Sequence, residues 1–266
     1  MIRVISFVLL PFNGTIFVRQ FVLFLQAKQA LVKANDMFDF APILAQALLR
    51  KGGERGLEPW IKEATCAHKF KHIPNDRVLA TMTKCVFQAG FVWRVIENKW
   101  PAFEKTFFNF DPQSLILLSP EQLDRISSDN RIVRNRQKVL SVPQNAAYIA
   151  DVSADHKSFA NFAAQWPEND FIGLCMHMKK FGCRLGGLSG PRILRKIGKD
   201  SFILTKDVVT ALKAAGLEIA DAPTSRSDLI KVQNSFNHWR EQTGYSLTRL
   251  SKICACSIGN NFTEPV

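Results

Sequence analysis

From residue 37 onward, apolar side chains recur at three- and four-residue spacing, which is the period of an amphipathic helix. One such helix is predicted over residues 76–87, with Asn75 as a candidate N-cap and Gly90 in the turn that follows. The next helix carries Trp93 and Trp100 at helical spacing. The same period predicts further helices over residues 132–150, 159–166, 170–181 and 229–241. The sequence beyond residue 37 shows no convincing alternation of apolar and polar positions, so the pattern predicts an all-α fold.

Polar residues and prolines mark the ends of several of these helices. Ser119-Pro120-Glu121-Gln122 is a capping box with proline at the first helical position, so a helix is predicted to start at Pro120. Thr205 precedes another candidate helix start. Ser227 and Gly244 bracket the helix predicted over residues 229–241.

The first 36 residues differ from the rest of the chain. Residues 4–18 contain no charged side chain, but Pro11 and Arg19 interrupt an apolar run that is shorter than the roughly 20 residues of a transmembrane helix. We therefore predict an apolar N-terminal extension over residues 1–36, from an appended or miscalled start. A domain over residues 37–258 and a tail over residues 259–266 follow. The alternative is a membrane or targeting role for the extension, which matches a signal peptide only loosely.

The chain is strongly basic. Its 35 lysines and arginines against 23 aspartates and glutamates give a net charge of +12 at pH 7, which favours a polyanionic partner such as nucleic acid or an anionic membrane surface. The six cysteines are scattered, as expected in a reducing compartment, and a cytoplasmic location is predicted. Cys66, His68 and His72 lie close together, but no second ligand pair follows at zinc-site spacing. No metal and no cofactor is predicted.

Residues 171–199 hold the most informative charge pattern, with seven lysines and arginines and no acid. Between them, residues 185–190 include three glycines, and Pro191 is predicted to open the next helix. Such a turn lets backbone N–H groups and the positive end of a helix dipole approach an anion, as in a helical hairpin that grips DNA phosphates without reading sequence. The alternative is a tight connection whose basic side chains are merely solvated. The residues predicted to bind the DNA backbone are Gly186, Gly187, Ser189, Gly190, Arg184 and Arg192.

Several motifs within residues 76–200 keep the order and spacing of a known family. They are Phe87-Gln88-Ala89-Gly90-Phe91-Val92-Trp93, Phe103, Phe110-Asp111-Pro112, the segment 132–138, Asn145-Ala146 and Lys179-Lys180-Phe181-Gly182. This series resembles the DNA-3-methyladenine glycosylase I family of the helix-hairpin-helix superfamily. The resemblance implies a two-lobed helical bundle, with a base pocket in the cleft between the lobes that receives a damaged base flipped out of the duplex.

The resemblance also implies roles for individual residues. Trp93 matches the tryptophan that stacks on the flipped base, and Cys85 stands where typical members have a pocket glutamate. Phe91, with Gln88 in the same motif, matches the loop that wedges into the DNA gap. By periodicity alone, Trp93 could equally be a core aromatic residue on a helix.

The catalytic assignments depend on the same resemblance. Asp207 lies where other branches of the superfamily carry an essential aspartate, and Glu97 is the reserve candidate; the alternative for Asp207 is a first-turn acid that offsets a helix dipole. Asp207 and Ala211 stand where typical members have zinc ligands, so no zinc is predicted. Bifunctional members use a lysine after the hairpin as nucleophile. Pro191 and Arg192 stand there, which predicts a monofunctional hydrolase that leaves an abasic site.

The expected function is hydrolysis of the N-glycosidic bond of alkylated purines such as 3-methyladenine in base excision repair. The expected partner is double-stranded DNA with alkylated bases, bound by a monomer. One alternative is a non-catalytic duplex-DNA-binding protein on the same scaffold. The other is a membrane-associated protein in which residues 1–36 are functional and the basic face meets anionic lipid. The resemblance favours DNA, and membrane contact through residues 1–36 is not expected.

Overall fold

The computed structural model describes residues 39–62 and 70–259. The predictions for the extension over residues 1–36, for Cys66 and His68, and for the tail beyond Gly259 lie outside these residues. Within them the secondary structure is helical and contains no strand, so the all-α prediction is confirmed. In the same residues no helix is both long and apolar enough to cross a bilayer.

Thirteen α-helices lie in the described residues, together with short 3-10 turns at Phe70–His72 and Phe108–Phe110. The helices are α1 (Ala41–Lys51), α2 (Glu54–Ile61), α3 (Asn75–Gln88), α4 (Trp93–Thr106), α5 (Pro112–Ile116), α6 (Pro120–Ser128), α7 (Arg136–His156), α8 (Phe159–Gln165), α9 (Phe171–Phe181), α10 (Ser189–Lys196), α11 (Lys206–Ala214), α12 (Arg226–Thr243) and α13 (Leu247–Ile258).

One group of helices is built around α3 and α7. The long helix α7 packs against α3, α5, α6 and α8, and α3 also packs against α4. Aromatic rings fill the space between α4 and the second 3-10 turn, where Trp100 stacks on Phe103 and on Phe110 with ring centroids 5.4 Å apart in both pairs. Burial of such rings supplies much of the stabilisation of a helical core. This group fixes both ends of the loop between α3 and α4.

A second group is built around the C-terminal helix α13, which packs against α1, α2, α11 and α12. Its core is a run of buried aromatic rings in which Phe202 stacks on Phe236 at 4.3 Å and Phe236 meets Trp239 edge to face at 5.4 Å. The Asp200 carboxylate accepts hydrogen bonds from the backbone N–H groups of Leu247 and Thr248 and so stabilises the first turn of α13. Helix α10 contacts α3 of the first group and α9, which packs on α12 of the second.

Two of the predicted cap signals mark helix starts in the structure. The capping box of Ser119 and Gln122 is present, and Thr205 caps α11. The prediction that Asn75 caps α3 is wrong, because α3 begins at Asn75 and its side chain is used elsewhere. The Asn75 amide donates to Ser153 Oγ at 2.9 Å and accepts the Phe159 N–H at 3.0 Å, which ties α3 to α7 and α8.

Two other helix starts differ from the prediction. Helix α7 begins at Arg136, because the Asn135 side chain accepts the Lys138 N–H and caps the helix there. Helix α10 begins at Ser189, two residues before Pro191. Pro191 then lies within the first turn, where its missing N–H costs nothing.

Candidate functional site

The loop between α3 and α4 presents an apolar surface. Its Gly90 has φ +70°, a left-handed conformation that reverses the chain directly after α3. Phe91, Val92 and Trp93 are then 45%, 66% and 45% exposed. Three adjacent large apolar side chains at the surface are the kind of feature that marks a binding site.

Lys138 of α7 binds the backbone at the start of this loop. Its side chain is only 8% exposed, and its Nζ donates to the carbonyl oxygens of Phe87 at 3.1 Å and Ala89 at 2.7 Å. A cation at these carbonyls satisfies the open C-terminal end of α3 and its dipole. The same Nζ lies 5.7 Å from the centroid of the Phe91 ring. Burial, reinforced by the charge of Arg184, lowers the pKa of Lys138.

Glu97 of α4 is engaged on both carboxylate oxygens. Oε1 accepts from the Gln88 amide at 2.9 Å, and Oε2 accepts from Lys84 Nζ at 3.0 Å. Gln88, which was predicted to lie with Phe91 on the wedge loop, is 3% exposed and lies in the interior. The exposed neighbour of Phe91 on this loop is Val92. The Lys84 ammonium offsets the Glu97 charge.

Two cations cover the Trp93 ring. Arg192 Cζ lies 5.2 Å and Lys196 Nζ 5.9 Å from the ring centroid, both from α10. Cys85 of α3 is buried, and the positive charges of Lys196, Arg192 and Lys84 act on its thiol. Desolvation outweighs these charges and raises the pKa of Cys85 to about 11. The structure therefore brings Trp93 and an uncharged Cys85 thiol into one electropositive neighbourhood.

A cavity of about 350 Å³ lies next to this neighbourhood, between α3, α4 and α10. Its volume falls in the range of small-molecule sites. Glu104 holds one side, accepting two hydrogen bonds from Arg77 and one from Trp100 Nε1 at 2.9 Å. The lining residues are Arg77, Ala80, Thr81, Lys84, Trp100, Glu104 and Lys196.

The connection between α9 and α10 is fixed to α7 at its start by the Asn145 side chain. Asn145, which is buried, donates to the Cys183 carbonyl at 3.1 Å and accepts the Cys183 N–H at 2.8 Å. The side-chain amide of Asn145 thus pairs with both backbone polar groups of Cys183, as a neighbouring strand would, and this fixes the start of the turn. The exposed Arg184 follows with φ +63° and donates to Gln137, also on α7.

The tip of this hairpin presents unused backbone donors. The Ser189 N–H donates to the Gly186 carbonyl at 3.2 Å, whereas the N–H groups of Gly187, Leu188 and Gly190 make no hydrogen bond within the part of the chain that the structure describes. Gly187 is exposed with φ +59°, and a Cβ added there would meet nothing within 4 Å. At Gly190 an added Cβ would lie 2.9 Å from the Leu185 carbonyl oxygen, so the turn requires glycine there.

Asp207 lies at the start of α11, whose residues Lys206 and Val209 line a cavity of about 510 Å³ with Gly187, Leu188 and Pro191. Asp207 itself sits half-buried in the first turn of α11, a helix that packs against α13. Within the described ranges it makes no hydrogen bond or ion pair, and it does not line the 350 Å³ cavity. Among the same residues no group of three His, Cys, Asp or Glu side chains could hold a metal ion.

Sequence reasoning missed two members of this site. Lys84 has no motif of its own, and Lys196 belongs to the basic run over residues 171–199 but does not stand out in it. Their positions on α3 and α10 bring them to Glu97 and Trp93. Lys138 lies at the end of the family motif over residues 132–138, but that motif alone did not indicate that its ammonium binds the end of α3.

The fold and the site together define an all-α protein whose basic helical hairpin adjoins an exposed aromatic loop. Residues 72–180 match the model of the methyladenine glycosylase family, so the resemblance predicted from the motifs is confirmed over that segment. A comparison with curated protein sequences gives no match.

Among solved structures, the chain is similar to 3-methyladenine DNA glycosylase I. One such structure shares 20% identity with a TM-score of 0.41, covering 47% of this chain and 79% of the other. The Staphylococcus aureus enzyme shares 20% identity with a TM-score of 0.42, covering 47% and 77%. A variant in complex with 3-methyladenine shares 19% identity with a TM-score of 0.42, covering 50% and 86%.

Proposed function

We propose that the protein is a monofunctional DNA glycosylase that hydrolyses the N-glycosidic bond of alkylated purines such as 3-methyladenine. The observation that carries this proposal is the match of residues 72–180 to the methyladenine glycosylase family, a segment that runs from the first 3-10 turn into α9. It includes the aromatic loop, Lys138 and the first helix of the hairpin. We further propose that the protein acts as a monomer on duplex DNA in the cytoplasm.

The hairpin supplies the contact with the DNA backbone in this proposal. The N–H groups of Gly187, Leu188 and Gly190 belong to a turn flanked by basic residues and donate to no acceptor in the described chain, and Gly187 is exposed. Phosphate oxygens are the acceptors that such amides bind, and this contact carries no sequence information. Arg184 and Arg192 add charge on either side of the tip.

The aromatic loop supplies the contact with the opened duplex. Phe91 and Val92 are exposed, and Lys138 holds their loop through its hydrogen bond to the Ala89 carbonyl. The two side chains can therefore enter the gap that a flipped nucleotide leaves. The extruded base stacks on the ring of Trp93, the next residue. Because the three residues are contiguous, insertion of the loop and capture of the base occur in one movement.

Hydrolysis in this proposal uses water as nucleophile. Water oxygen attacks C1′ of the sugar and loses a proton to solvent, while the C1′–N bond breaks and its electron pair leaves with the purine. Arg192, which follows the hairpin, stays protonated and cannot form a Schiff base. We assign the water-directing role to Asp207 and keep Glu97 as the second candidate, although its carboxylate is already held by Lys84 and Gln88.

The test is release of free bases from alkylated duplex DNA by the full chain under single-turnover conditions, identified by mass. Release of 3-methyladenine with matching abasic sites is the expected result. Duplex binding without any released base would instead favour a non-catalytic DNA-binding protein. The cover of Trp93 by Arg192 is the observation that speaks for this second candidate.

A further inference from the structure

The cavity of about 510 Å³ beside the hairpin turn has no role in the proposed reaction. Four segments of the described chain enclose it: α9, the turn with the first residues of α10, residues 202–209 leading into α11, and residues 221–229 leading into α12. Its volume falls within the range of sites that bind small molecules. Neither Trp93 nor Cys85 lines it, so it is not the proposed base pocket.

The walls of this cavity are apolar and largely withdrawn from water. Ile172, Phe202 and Val209 are buried, and Leu229 is half-buried. Cys175 also lines the cavity, and burial raises the pKa of its thiol well above the ordinary range. The thiol is therefore uncharged at neutral pH and acts as part of the apolar wall. Walls of this kind bind hydrocarbon groups, because filling the cavity removes apolar surface from water.

The charged residues around the cavity leave an excess of positive charge at its mouth. Lys179 of α9 and Lys206 of α11 both line the cavity and are exposed, so their aliphatic stems cover apolar surface while the ammonium groups stay in water. Asp221 lines the cavity too, but its ion pair with Lys213 offsets its charge and keeps the pKa of its carboxyl low. Asp207 follows Lys206 in the chain but does not line the cavity.

We propose that this cavity binds an amphiphilic carboxylate, a molecule with an unbranched hydrocarbon chain and one anionic group, such as a medium-chain fatty acid. The chain lies against the apolar walls, and the carboxylate stays in water beside Lys179 and Lys206. Gly187 and Leu188, whose N–H groups bind DNA phosphate in the proposed function, line the same cavity. A bound carboxylate therefore competes with the duplex, and this part of the inference rests on the proposed function.

Burial of the hydrocarbon chain supplies most of the affinity. Each methylene group that enters the cavity should tighten binding about fourfold, until the walls are covered. An ion pair in water contributes far less, so loss of one lysine should weaken the binding of a carboxylate by about two- to fivefold. The buried residues therefore set the strength of binding, whereas the two exposed lysines select the head group.

Isothermal titration calorimetry of the full chain with octanoate, decanoate and 1-octanol tests the site in the absence of DNA. Leu229→Trp adds bulk inside the cavity and should abolish saturable binding. The matched control is Ile230→Trp, at the exposed neighbouring residue of α12, which does not line the cavity and should bind as wild type. A second filling variant, Val209→Phe, decides the question if Leu229→Trp does not fold.

Decanoate, which is longer by two methylene groups, should bind about sixteenfold more tightly than octanoate. Lys206→Gln should weaken both carboxylates by about two- to fivefold and leave the affinity for 1-octanol unchanged. Duplex affinity is then measured by fluorescence anisotropy with decanoate at about ten times its own dissociation constant. It should fall about tenfold in wild type and in Ile230→Trp, and stay unchanged in Leu229→Trp.

No saturable binding to wild type, or equal binding to wild type and a folded filling variant, would overturn the site. If 1-octanol binds as tightly as octanoate, the anionic head group is wrong. If decanoate binds but duplex affinity is unchanged, the competition is wrong. Failure to release any base would refute the proposed function alone, because the calorimetry contains no DNA.

Discussion

Replacement of Lys138 tests whether the aromatic loop depends on a buried cation. Lys138→Met keeps the length of the aliphatic stem but leaves the carbonyl oxygens of Phe87 and Ala89 without a donor. Each hydrogen bond to a charged group contributes about 1.5–3 kcal/mol net. Burying the ammonium costs part of this sum, so we expect a loss of about 2–4 kcal/mol in the free energy of unfolding.

Urea denaturation followed by circular dichroism measures this loss. Lys138→Gln retains N–H donors without the charge and should lie between wild type and Lys138→Met. The matched control is Lys105→Met at an exposed lysine of α4, which should change stability by less than about 0.5 kcal/mol. Base release should slow in Lys138→Met at saturating protein, because the loop that carries Phe91 loses its support. A Lys138→Met protein as stable as the control would show that the two carbonyl contacts contribute nothing and that our account of the loop is wrong.

Four further outcomes are expected. Asn145→Leu removes both hydrogen bonds to the hairpin backbone and should cost about 2 kcal/mol in thermal or urea unfolding, with weaker duplex binding. Gly187→Asp should weaken binding to every duplex alike, whereas Gly187→Asn, with the same backbone strain and no charge, should bind nearly as wild type in fluorescence anisotropy. Burial and the charge of Lys180 lower the pKa of His177 in the folded protein, so as the pH falls the unfolded chain binds a proton at this side chain before the folded protein does. The free energy of unfolding should therefore decrease as the pH drops below about 6.5. In His177→Phe, the urea midpoint should depend less on pH between about pH 5 and pH 7. Asp207→Asn should slow single-turnover release about a hundredfold without loss of binding, and a normal rate beside a collapsed rate in Glu97→Gln would reverse that assignment.

The parts of the fold that the sequence predicted are those set by local signals. Helix α12 was predicted over residues 229–241 with Ser227 at its start. It spans Arg226–Thr243, because Ser225, and not Ser227, accepts the Asp228 N–H as N-cap, and Gly244 ends the helix as predicted. The helix over residues 76–87 was found with similar accuracy. In both cases the apolar period, which lies within the segment itself, predicts the helix, whereas the predicted cap residues Asn75 and Ser227 are not the caps.

The parts that were missed depend on contacts between distant segments. Lys138 lies about fifty residues from the carbonyl groups that it binds, and nothing in its neighbourhood distinguishes a buried lysine from the exposed basic residues beside it. Asn75 has the chemistry of a cap, but its amide joins α7 and α8 instead. A side chain with two possible uses is assigned only when the tertiary partner is known.

Helix α7 links the two surfaces that the proposed function requires. Lys138 holds the aromatic loop and Asn145 holds the hairpin, and the two are seven residues apart, which is about two turns and about 10 Å along one face of a helix. Val142 lies between them on the same face and is fully buried, so this face is packed along its length. The spacing of the points at which the two surfaces are anchored is therefore set by α7, in which Pro143 lies between Lys138 and Asn145. A flipped base and its flanking phosphate are also a fixed distance apart in DNA, so a rigid spacing of this kind positions both contacts before the duplex binds. The protein then loses little conformational entropy on binding, and most of that loss occurs in the DNA.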